Sequence, residues 1–293
     1  MMSLNKSSAF IKSKIADQFN RAAHRYDKAA FLQQEIRERL IERLDDILIK
    51  PEKIIDLGCG TGQSVNQLAQ RYPQAEIYGV DIAPQMLAVA GGRTQPADKF
   101  TAPLNYICAE ASQLPFADNS VDMVFSNLMF QWCDPLHAVL QESYRVLREG
   151  GLLFFTYFGP DTLQELRYSW AQIDNYPHVN DFIDMHHVGD WLIQSHFNDP
   201  VMDMEYMTVT YKKVLTLMRD LKHIGATNQN PNRRKTLLGK NKLALLEKHY
   251  EQFKLEDDSL PATYEVVYGH AWKLPRKTSM HESYVPVTAI TKK

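Results

Sequence analysis

The 293-residue chain has no long apolar run and almost no net charge. None of its apolar stretches approaches the roughly 18 residues of a membrane-spanning helix, and its first residues lack the apolar core of a secretory signal. A formal net charge of −2 at pH 7 disfavours a general binder of nucleic acids. We therefore expect a globular monomer with neither a membrane nor a nucleic-acid partner.

Cysteine is scarce and shows no pairing pattern. Cys59, Cys108 and Cys133 are odd in number, lie far apart and form no C-x-x-C motif. Disulfide frameworks need paired cysteines and an oxidising compartment, so we expect free buried thiols in the cytoplasm. The chain also contains no internal repeat and no coiled-coil signature.

Familiar catalytic motifs are missing as well. The chain shows no Ser-His-Asp set and no H-E-x-x-H pattern. Asp184, His186 and His187 are spaced in a way that suggests a metal site, but we interpret them as a helix start followed by surface histidines. We expect no metal ion and find no obvious general base.

Residues 54–157 alternate between short apolar segments and helical patterns, which predicts four βα units and a fifth strand in a parallel sheet. The predicted strands are Ile54–Ile55, Ile77–Val80, Leu104–Cys108, Val121–Ser126 and Leu152–Tyr157, and the helix before the fifth strand is Leu136–Leu147.

The flanking regions predict helical additions to this sheet. Residues 7–48 form a helical cover, with Arg37, Glu38, Arg39 and Glu42 facing away from its apolar side. A single domain is expected over residues 1–273, with a helical lid at about 213–255 and a mobile tail at 274–293. The predicted elements of the second half are helices Thr162–Trp170, Met185–Ser195, Val214–Ile224 and Asn241–Phe253, and strands Met202–Thr208 and Thr263–His270.

A glycine-rich loop, Asp56–Gly62, follows the first strand and precedes a helix. Gly58, Gly60 and Gly62 let the backbone turn sharply and pass close to a ligand. Position 63 is Gln, whereas the dinucleotide fingerprint G-x-G-x-x-G requires Gly or Ala there. The loop resembles the one that holds S-adenosylmethionine in class I methyltransferases. The resemblance implies an α/β, Rossmann-like sheet, mostly parallel with an antiparallel last strand.

Polar residues follow the predicted strands and are expected to meet in one cleft. Asp81 is placed to accept both ribose hydroxyls of the cofactor, or to cap the next helix, or both. Glu110 or the Ala111 amide is placed to contact the adenine edge, and a surface Glu at a loop entry is the alternative. Asn127 lies beside the expected reacting centre or is a turn residue. The expected cofactor-binding residues are Gln33, Asp56, Gly58, Gly60, Gly62, Asp81, Ile82, Glu110, Ala111 and Asn127.

Four further segments carry a more specific resemblance. They are Phe19–Ala23 with Tyr26-Asp27, Ala30 and Gln33; Ser126-Asn127-Leu128 with Gln131-Trp132-Cys133; Leu163–Leu166 with Trp170; and Leu221–Asn228. Together they resemble the BioC family, the malonyl-acyl-carrier-protein O-methyltransferases of biotin synthesis, over about residues 17–272. Glu110 stands where many relatives of this family carry Asp.

A second family of the same superfamily is also similar. Gly159–Arg167 and Pro261–Tyr264 resemble the mitochondrial complex I assembly factors, which are credited with arginine hydroxylation. An arginine hydroxylase, another small-molecule methyltransferase, or an assembly factor without turnover therefore stands as the alternative, because a fold does not fix a reaction.

The BioC resemblance implies S-adenosyl-L-methionine-dependent methylation of the free carboxylate of a malonyl group on acyl-carrier protein. A carboxylate with a reference pKa of about 4 is already ionised at pH 7 and needs no base. Tyr26 and Arg145 are the candidates for orienting it, and Arg145 has the alternative of pairing with Glu142. The carrier is acidic, so Arg233, Arg234, Lys235, Lys240 and Lys242 are predicted either to dock it or to be a solvated face.

Overall fold

Seven strands form one sheet in the computed structural model, which describes residues 2–93, 104–230, 232–234 and 239–275, with side chains from residue 12. They are β1 (Lys53–Leu57), β2 (Glu76–Asp81), β3 (Leu104–Cys108), β4 (Val121–Asn127), β5 (Leu147–Phe158), β6 (Asn198–Tyr211) and β7 (Leu260–Lys273). Their order is β3-β2-β1-β4-β5-β7-β6. Strands β1 to β5 are parallel, and β7 is antiparallel to both β5 and β6. The predicted mostly parallel sheet with an antiparallel last strand is confirmed.

Helices cover both faces of this sheet. They are α1 (Met2–Ala22), α2 (Tyr26–Ala29), α3 (Phe31–Glu42), α4 (Gln63–Arg71), α5 (Pro84–Arg93), α6 (Leu136–Val146), α7 (Gln164–Ala171), α8 (Met185–Gln194), α9 (Val214–His223) and α10 (Lys240–Tyr250). Short 3-10 turns occupy Ala23–Arg25, Arg43–Asp46, Phe130–Trp132 and Glu251–Phe253. No helix in the described part of the chain is both long and apolar enough to cross a membrane.

Burial explains which segments became central strands. All but the last residue of β4 are buried, as expected for a strand covered on both faces. Strand β6 instead alternates between exposed and half-buried residues, because it lies at the edge of the sheet. Two apolar clusters pack on the two faces, so the sheet is a rigid base for the loops at its carboxyl edge.

The prediction of a helix between β3 and β4 is wrong. Residues 109–120 form only turns. Pro115 has no backbone N–H to donate, and Asn119 adopts a positive φ of 54°. The Leu114 N–H instead donates to Glu142 Oε1 at 2.6 Å, which attaches this connection to α6.

The predictions for the lid, the cysteines and the tail have different outcomes. Helices α9 and α10 lie between β6 and β7, where the lid was expected. The cysteines are free, but only Cys59 is buried, since Cys108 is exposed and Cys133 half-buried. Most of the predicted tail, residues 276–293, lies outside the described residues.

Candidate active site

A cleft with about 820 Å³ of open space lies at the carboxyl edge of the sheet. Its walls come from the ends of β1, β2 and β4, from the connection after β3, and from α1. The predicted residues that line it are Tyr26, Gly58, Gly60, Asp81, Ile82, Glu110, Ala111 and Asn127.

The glycines of the loop after β1 have different roles. Gly60 has a φ of 54°, lines the cleft, and shows no atom within 4 Å of the position that a Cβ would take. Gly58 also lines the cleft, and a Cβ there would lie 2.3 Å from Met129 Cγ. Gly62 faces away, because its Cβ position is 2.8 Å from Ala90 Cβ on α5. Gly62 therefore allows close packing of α5, and it lines neither the cleft nor the second cavity described below.

Asp81 is tied to the backbone at the end of β2. Its Oδ2 accepts the Gly60 N–H at 2.9 Å, and its Oδ1 accepts the Ala83 N–H at 2.8 Å, just before α5. Burial raises the pKa of Asp81, and these backbone hydrogen bonds oppose the increase. The hydrogen bond from Ala83 fixes the start of α5. Because each carboxylate oxygen has a second lone pair, Asp81 can also accept a hydrogen bond from a ligand.

The opposite wall of the cleft holds Glu110 and Ala111. Glu110 forms an ion pair with Lys12 of α1 at 3.0 Å, and the Ser112 hydroxyl donates to it at 3.3 Å. The carboxylate is therefore not a freely solvated surface group. Lys12 also lines the cleft, so α1 closes this side.

A second cavity continues beyond Gly58 and Gly60 and contains charges in a buried setting. It is lined by Tyr26, Asp27, Ala30, Gln33, Gln34, Arg37, Gly58, Cys59, Gly60, Thr61, Gln63, Ser64 and Asn127. Beside it, Asp56 is fully buried, and burial raises its pKa to about 7 although Arg37 opposes the increase. Neither Asp56 oxygen has a hydrogen-bond partner of standard geometry among the described residues, while Ser64 lies close enough to stabilise the charged form.

Arg37 was expected to face away from the apolar side of α3, and that prediction is wrong. Its side chain is buried, and its Nε donates to Gln67 Oε1 at 2.6 Å. Burial lowers the pKa of Arg37, and the carboxylates of Glu38 and Asp56 oppose the decrease. Gln33, which the sequence did single out, lies four residues earlier on the same helix face, so the spacing contained a signal for Arg37.

The cover formed by α1 to α3 is fixed to the loop and to α5. Asp27 accepts the Thr61 hydroxyl at 2.6 Å and forms an ion pair with Arg93. Next to it, Tyr26 lines both cavities. Burial, and then the charge of Asp81, raise the pKa of Tyr26 to about 12, so its phenol is neutral near pH 7.

Asn127 and Gln33 lie where the second cavity meets the rest of the site. The Asn127 Nδ2 donates to the Gln33 carbonyl at 3.2 Å, and its Oδ1 accepts the Thr156 hydroxyl at 2.8 Å. Asn127 is thus the last residue of β4 and also a link to the cover. Buried Gln33 Oε1 has no partner among the described residues.

A third cavity, the lid chamber, lies under the segment that follows α9. It shares Gln33 with the second cavity and Trp132 with the first. Its walls are Gln33, Gln131, Trp132, Phe158, Thr162, Leu163, Leu166, His178, Val179, Asn180, Phe182, Leu221, Ile224, Ala226, Asn228 and Tyr264. The three cavities therefore adjoin one another, with a polar end at the second cavity and a mainly apolar lid chamber.

Arg145 lies elsewhere, which corrects its assignment to the acceptor site. It is near the end of α6, on the side where β5 begins, and lines none of the three cavities. Its guanidinium bonds Glu142 at 2.7 Å and Asp118 at 2.6 Å, and it donates to the carbonyls of Leu114 and Phe116. The alternative of a pair with Glu142 is the one observed.

The basic segment before α10 is partly engaged within the molecule. Lys242 Nζ lies 2.5 Å from Asp174 Oδ2, and Arg234 Nη1 lies 3.8 Å from the same oxygen. Arg233 is half-buried and Lys240 is exposed, whereas Lys235 lies outside the described residues.

The histidines after Asp184 match their interpretation as a helix start. Asp184 is the N-cap of α8 and accepts the His186 N–H, and the His186 side chain is 80% exposed. Within the described part of the chain, no group of three or more His, Cys, Asp or Glu side chains is placed to hold a metal ion.

Known proteins resemble this chain in sequence and in structure. Residues 55–155 match the model of a methyltransferase domain family. The malonyl-(acyl-carrier protein) O-methyltransferase of Gallionella capsiferriformans is 46% identical over 89% of this chain and 91% of its own. That of Laribacter hongkongensis is 46% identical over 89% of both chains. The crystal structure of the YcgJ protein of Bacillus subtilis covers 81% of this chain and 99% of its own with a TM-score of 0.58 at 13% identity, which supports the fold alone.

Proposed function

Since this chain belongs to the malonyl-(acyl-carrier protein) O-methyltransferase family, we propose that it methylates the free carboxylate of a malonyl group carried by acyl-carrier protein. S-adenosyl-L-methionine is the methyl donor. The observation that carries the proposal is the adjacency of the three cavities: the lid chamber shares Trp132 with the cleft at the glycine loop and Gln33 with the second cavity. One end suits a polar nucleoside and the other suits an acyl thioester.

The residues of the first cavity fit the nucleoside of the donor. The Cβ-free surface of Gly60 leaves room for close approach, and the remaining lone pairs of Asp81 can accept two ribose hydroxyls. Ile82 supplies an apolar wall, and Glu110 with the Ala111 amide offers an acceptor and a donor to the adenine edge. We assign these residues to the cofactor on that basis.

The second cavity fits the amino-acid end of the donor. A buried carboxylate without standard hydrogen bonds, Asp56, matches an ammonium group, and a buried guanidinium, Arg37, matches a carboxylate. Buried charges are costly when unpaired, so both residues gain from a zwitterionic ligand. When bound, the donor would supply an electrophilic methyl carbon: the acceptor's carboxylate oxygen would form a bond to that carbon as the carbon–sulfur bond breaks, giving a methyl ester and a neutral thioether as the leaving group.

The protein's remaining task is to align the acceptor. An ionised carboxylate needs no base, and orientation alone can contribute about 7–11 kcal/mol. Tyr26 is a neutral phenol at pH 7 and can donate a hydrogen bond without quenching the acceptor's charge as an ion pair would. Methylation removes that charge, so the product resembles an apolar primer for chain elongation, as a step in biotin synthesis requires.

The alternative activities are not favoured. The relatives reported above are named as O-methyltransferases of malonyl-acyl-carrier protein and not as assembly factors. The described walls of the lid chamber carry no carboxylate, so none of them matches the guanidinium of an arginine acceptor.

Transfer of tritiated methyl from the donor tests the proposal. Label should appear on malonyl-acyl-carrier protein, and mild base should release it as methanol, as expected for an ester. Acetyl-acyl-carrier protein is the matched control, because it has the same carrier and thioester but no carboxylate. Equal labelling of both carriers, or labelling of neither while calorimetry shows donor binding, would contradict the proposed acceptor.

A further inference from the structure

The lid chamber contains one side chain that can carry a positive charge, among the described residues that line it. That residue is His178, and the other polar groups on the walls are neutral amides and hydroxyls. The acceptor in the proposed reaction is an anion. An anion that enters a mainly apolar chamber loses hydration, so a matching charge at the wall decides whether it is bound.

His178 is held rigidly from two sides. Its ring stacks on Trp170 with centroids 3.9 Å apart and an angle of 8° between the planes. Its Nε2 lies 2.8 Å from Asp174 Oδ1, and its side chain is only 10% exposed. Since Asp174 engages Nε2, the nitrogen left for a ligand is Nδ1.

Asp174 connects this histidine to the lid. Burial alone raises its pKa, but hydrogen bonds from Lys242 and His178 outweigh burial and lower the pKa to about 2. The carboxylate therefore stays ionised at neutral pH. Lys242 and Arg234 share its charge, so the cluster carries one anion against two fixed cations and is net positive even without a charge on His178.

The roof of the chamber meets the floor beside this cluster. Asn228 Nδ2 donates to the Pro177 carbonyl at 2.6 Å, and the Gln229 N–H donates to Asn180 Oδ1 at 2.8 Å. These bonds join the segment after α9 to the residues on both sides of His178. The histidine is thus part of the closed wall and not a side chain at the entrance.

We propose that His178 binds the acceptor's malonyl carboxylate through Nδ1 and selects a charged acyl group over a neutral one, with Asp174 and Trp170 as its positioning residues. This inference rests on the proposed function. It assigns the discrimination between malonyl and uncharged acyl groups to the lid chamber. That discrimination requires a cationic hydrogen-bond donor in apolar surroundings.

A binding comparison with two carriers tests this assignment. The dissociation constants of malonyl- and acetyl-acyl-carrier protein are measured with the full-length protein saturated with S-adenosylhomocysteine. The change His178→Gln should weaken malonyl binding by about tenfold or more, the value of a charge-assisted hydrogen bond. Acetyl binding should change by less than about twofold, because the acetyl group has no carboxylate for His178 to hold.

Two further variants separate binding from folding. His186→Gln is the matched control, because His186 also pairs with an aspartate, at 2.7 Å, but is exposed on α8. Asp174→Asn should give a smaller loss for the malonyl carrier, since it frees the imidazole without removing it. If His178→Gln weakens both carriers equally, the residue has only a structural role; if it weakens neither, the assignment is wrong. Failure of the wild type to methylate the malonyl carrier would instead contradict the proposed function.

Discussion

Single residues in the cofactor cavities show a conflict between burial and charge. Burial raises the pKa of both Asp56 and Asp81, and it lowers the pKa of Arg37. Folding brings these three groups out of water before any ligand can pair with them. The protein therefore gives up stability at its binding site, as is common where ligands supply missing partners.

The stability of the ligand-free protein should depend on pH through Asp56. Its folded pKa of about 7 exceeds the unfolded reference of about 3.9, so the folded state binds the extra proton. The resulting penalty is absent below about pH 4, grows as pH rises, and is complete above about pH 7. Between about pH 5 and pH 8, Asp56→Asn should gain about 2–3 kcal/mol of unfolding free energy relative to the wild type.

Urea unfolding of both proteins at the two pH values measures this difference. The low pKa of Asp174 affects stability only below about pH 4. Burial lowers the pKa of His270, but its contribution to stability is shared by both proteins and cancels in the difference between them. A difference that stays constant over this range would show that Asp56 is not protonated in the folded protein.

Arg145 should matter for stability and not for the acceptor. Arg145→Ala leaves the Leu114 and Phe116 carbonyls without their side-chain donor and leaves Glu142 with only the Leu114 N–H, which should lower the unfolding free energy by about 2 kcal/mol. The Michaelis constant for the malonyl carrier should stay within about twofold. Arg39→Ala is the control. Arg39 is about 41% exposed and forms two ion pairs, so its removal should lower the unfolding free energy by less than about 1 kcal/mol. A large rise of the Michaelis constant for Arg145→Ala alone would return this residue to the acceptor site.

Among the elements, the helical cover depends on a few specific contacts. Asp27 links α2 to Thr61 and Arg93, Lys12 links α1 to Glu110, and Asn20 Oδ1 accepts the Gln85 N–H at 2.9 Å. Phe19 of α1 also packs edge-on against Trp132, with centroids 5.3 Å apart. These contacts hold α1 and α2 over the cleft, whereas α3 is also held by Leu32, Ile36 and Leu40 in the apolar cluster that contains Ile54.

Breaking the Asp27 contacts should loosen the cover without unfolding the sheet. Asp27→Asn should increase amide hydrogen exchange in α2 and at the start of α3 and weaken donor binding several-fold, while exchange in β1 and β4 stays unchanged. Asp45→Asn is the control, since Asp45 is 70% exposed and pairs with Arg71 outside the cavities. Faster exchange throughout the central strands would mean that Asp27 supports the whole fold.

The sequence predicted elements well wherever local patterns decide them. The strands from β1 to β5, the glycine loop and the acidic strand ends follow from apolar runs and their terminating residues, and the structure brings Asp81, Glu110 and Asn127 to one cleft. The family resemblance, based largely on the Gln131-Trp132-Cys133 and Leu221–Asn228 segments, is confirmed by relatives at 46% identity.

Distant contacts explain what the sequence did not predict. Arg37 was predicted to face outward, although it is four residues from Gln33 on the same helix face, and its partner Gln67 lies thirty residues away in the sequence. Asp174 and His178 lie in a loop with no motif, and their role depends on Lys242 of α10. Arg145 was misplaced although α6 leads directly into β5, because that helix must end at the edge where β5 begins, away from the carboxyl edge that holds the cleft.

At the scale of the whole molecule, docking of the carrier is a question of surface charge. Arg234 and Lys242 are committed to Asp174, so the surface left in the described part of this segment consists of Arg233 and Lys240. Both follow Asn228, a wall residue of the lid chamber, in the sequence, and both can contact an acidic partner. Their contribution should be mainly to the rate of encounter.

Reversal of these two charges tests the docking surface. Arg233→Glu with Lys240→Glu should raise the Michaelis constant for the malonyl carrier several-fold, and added salt should reduce the difference from the wild type. Donor affinity should not change. Lys50→Glu is the control, because Lys50 is exposed just before β1, at the sheet edge opposite the cleft. Equal Michaelis constants for wild type and double variant would exclude this surface.

Mass spectrometry of malonyl-acyl-carrier protein, after incubation with the protein and S-adenosyl-L-methionine, tests the central claim most directly. The account predicts that the carrier gains the mass of one methylene, located on the malonyl group by fragmentation. Omission of the donor should abolish the gain. An unchanged carrier mass, with donor binding established by calorimetry, would contradict the assignment of this chain as a malonyl carboxyl methyltransferase.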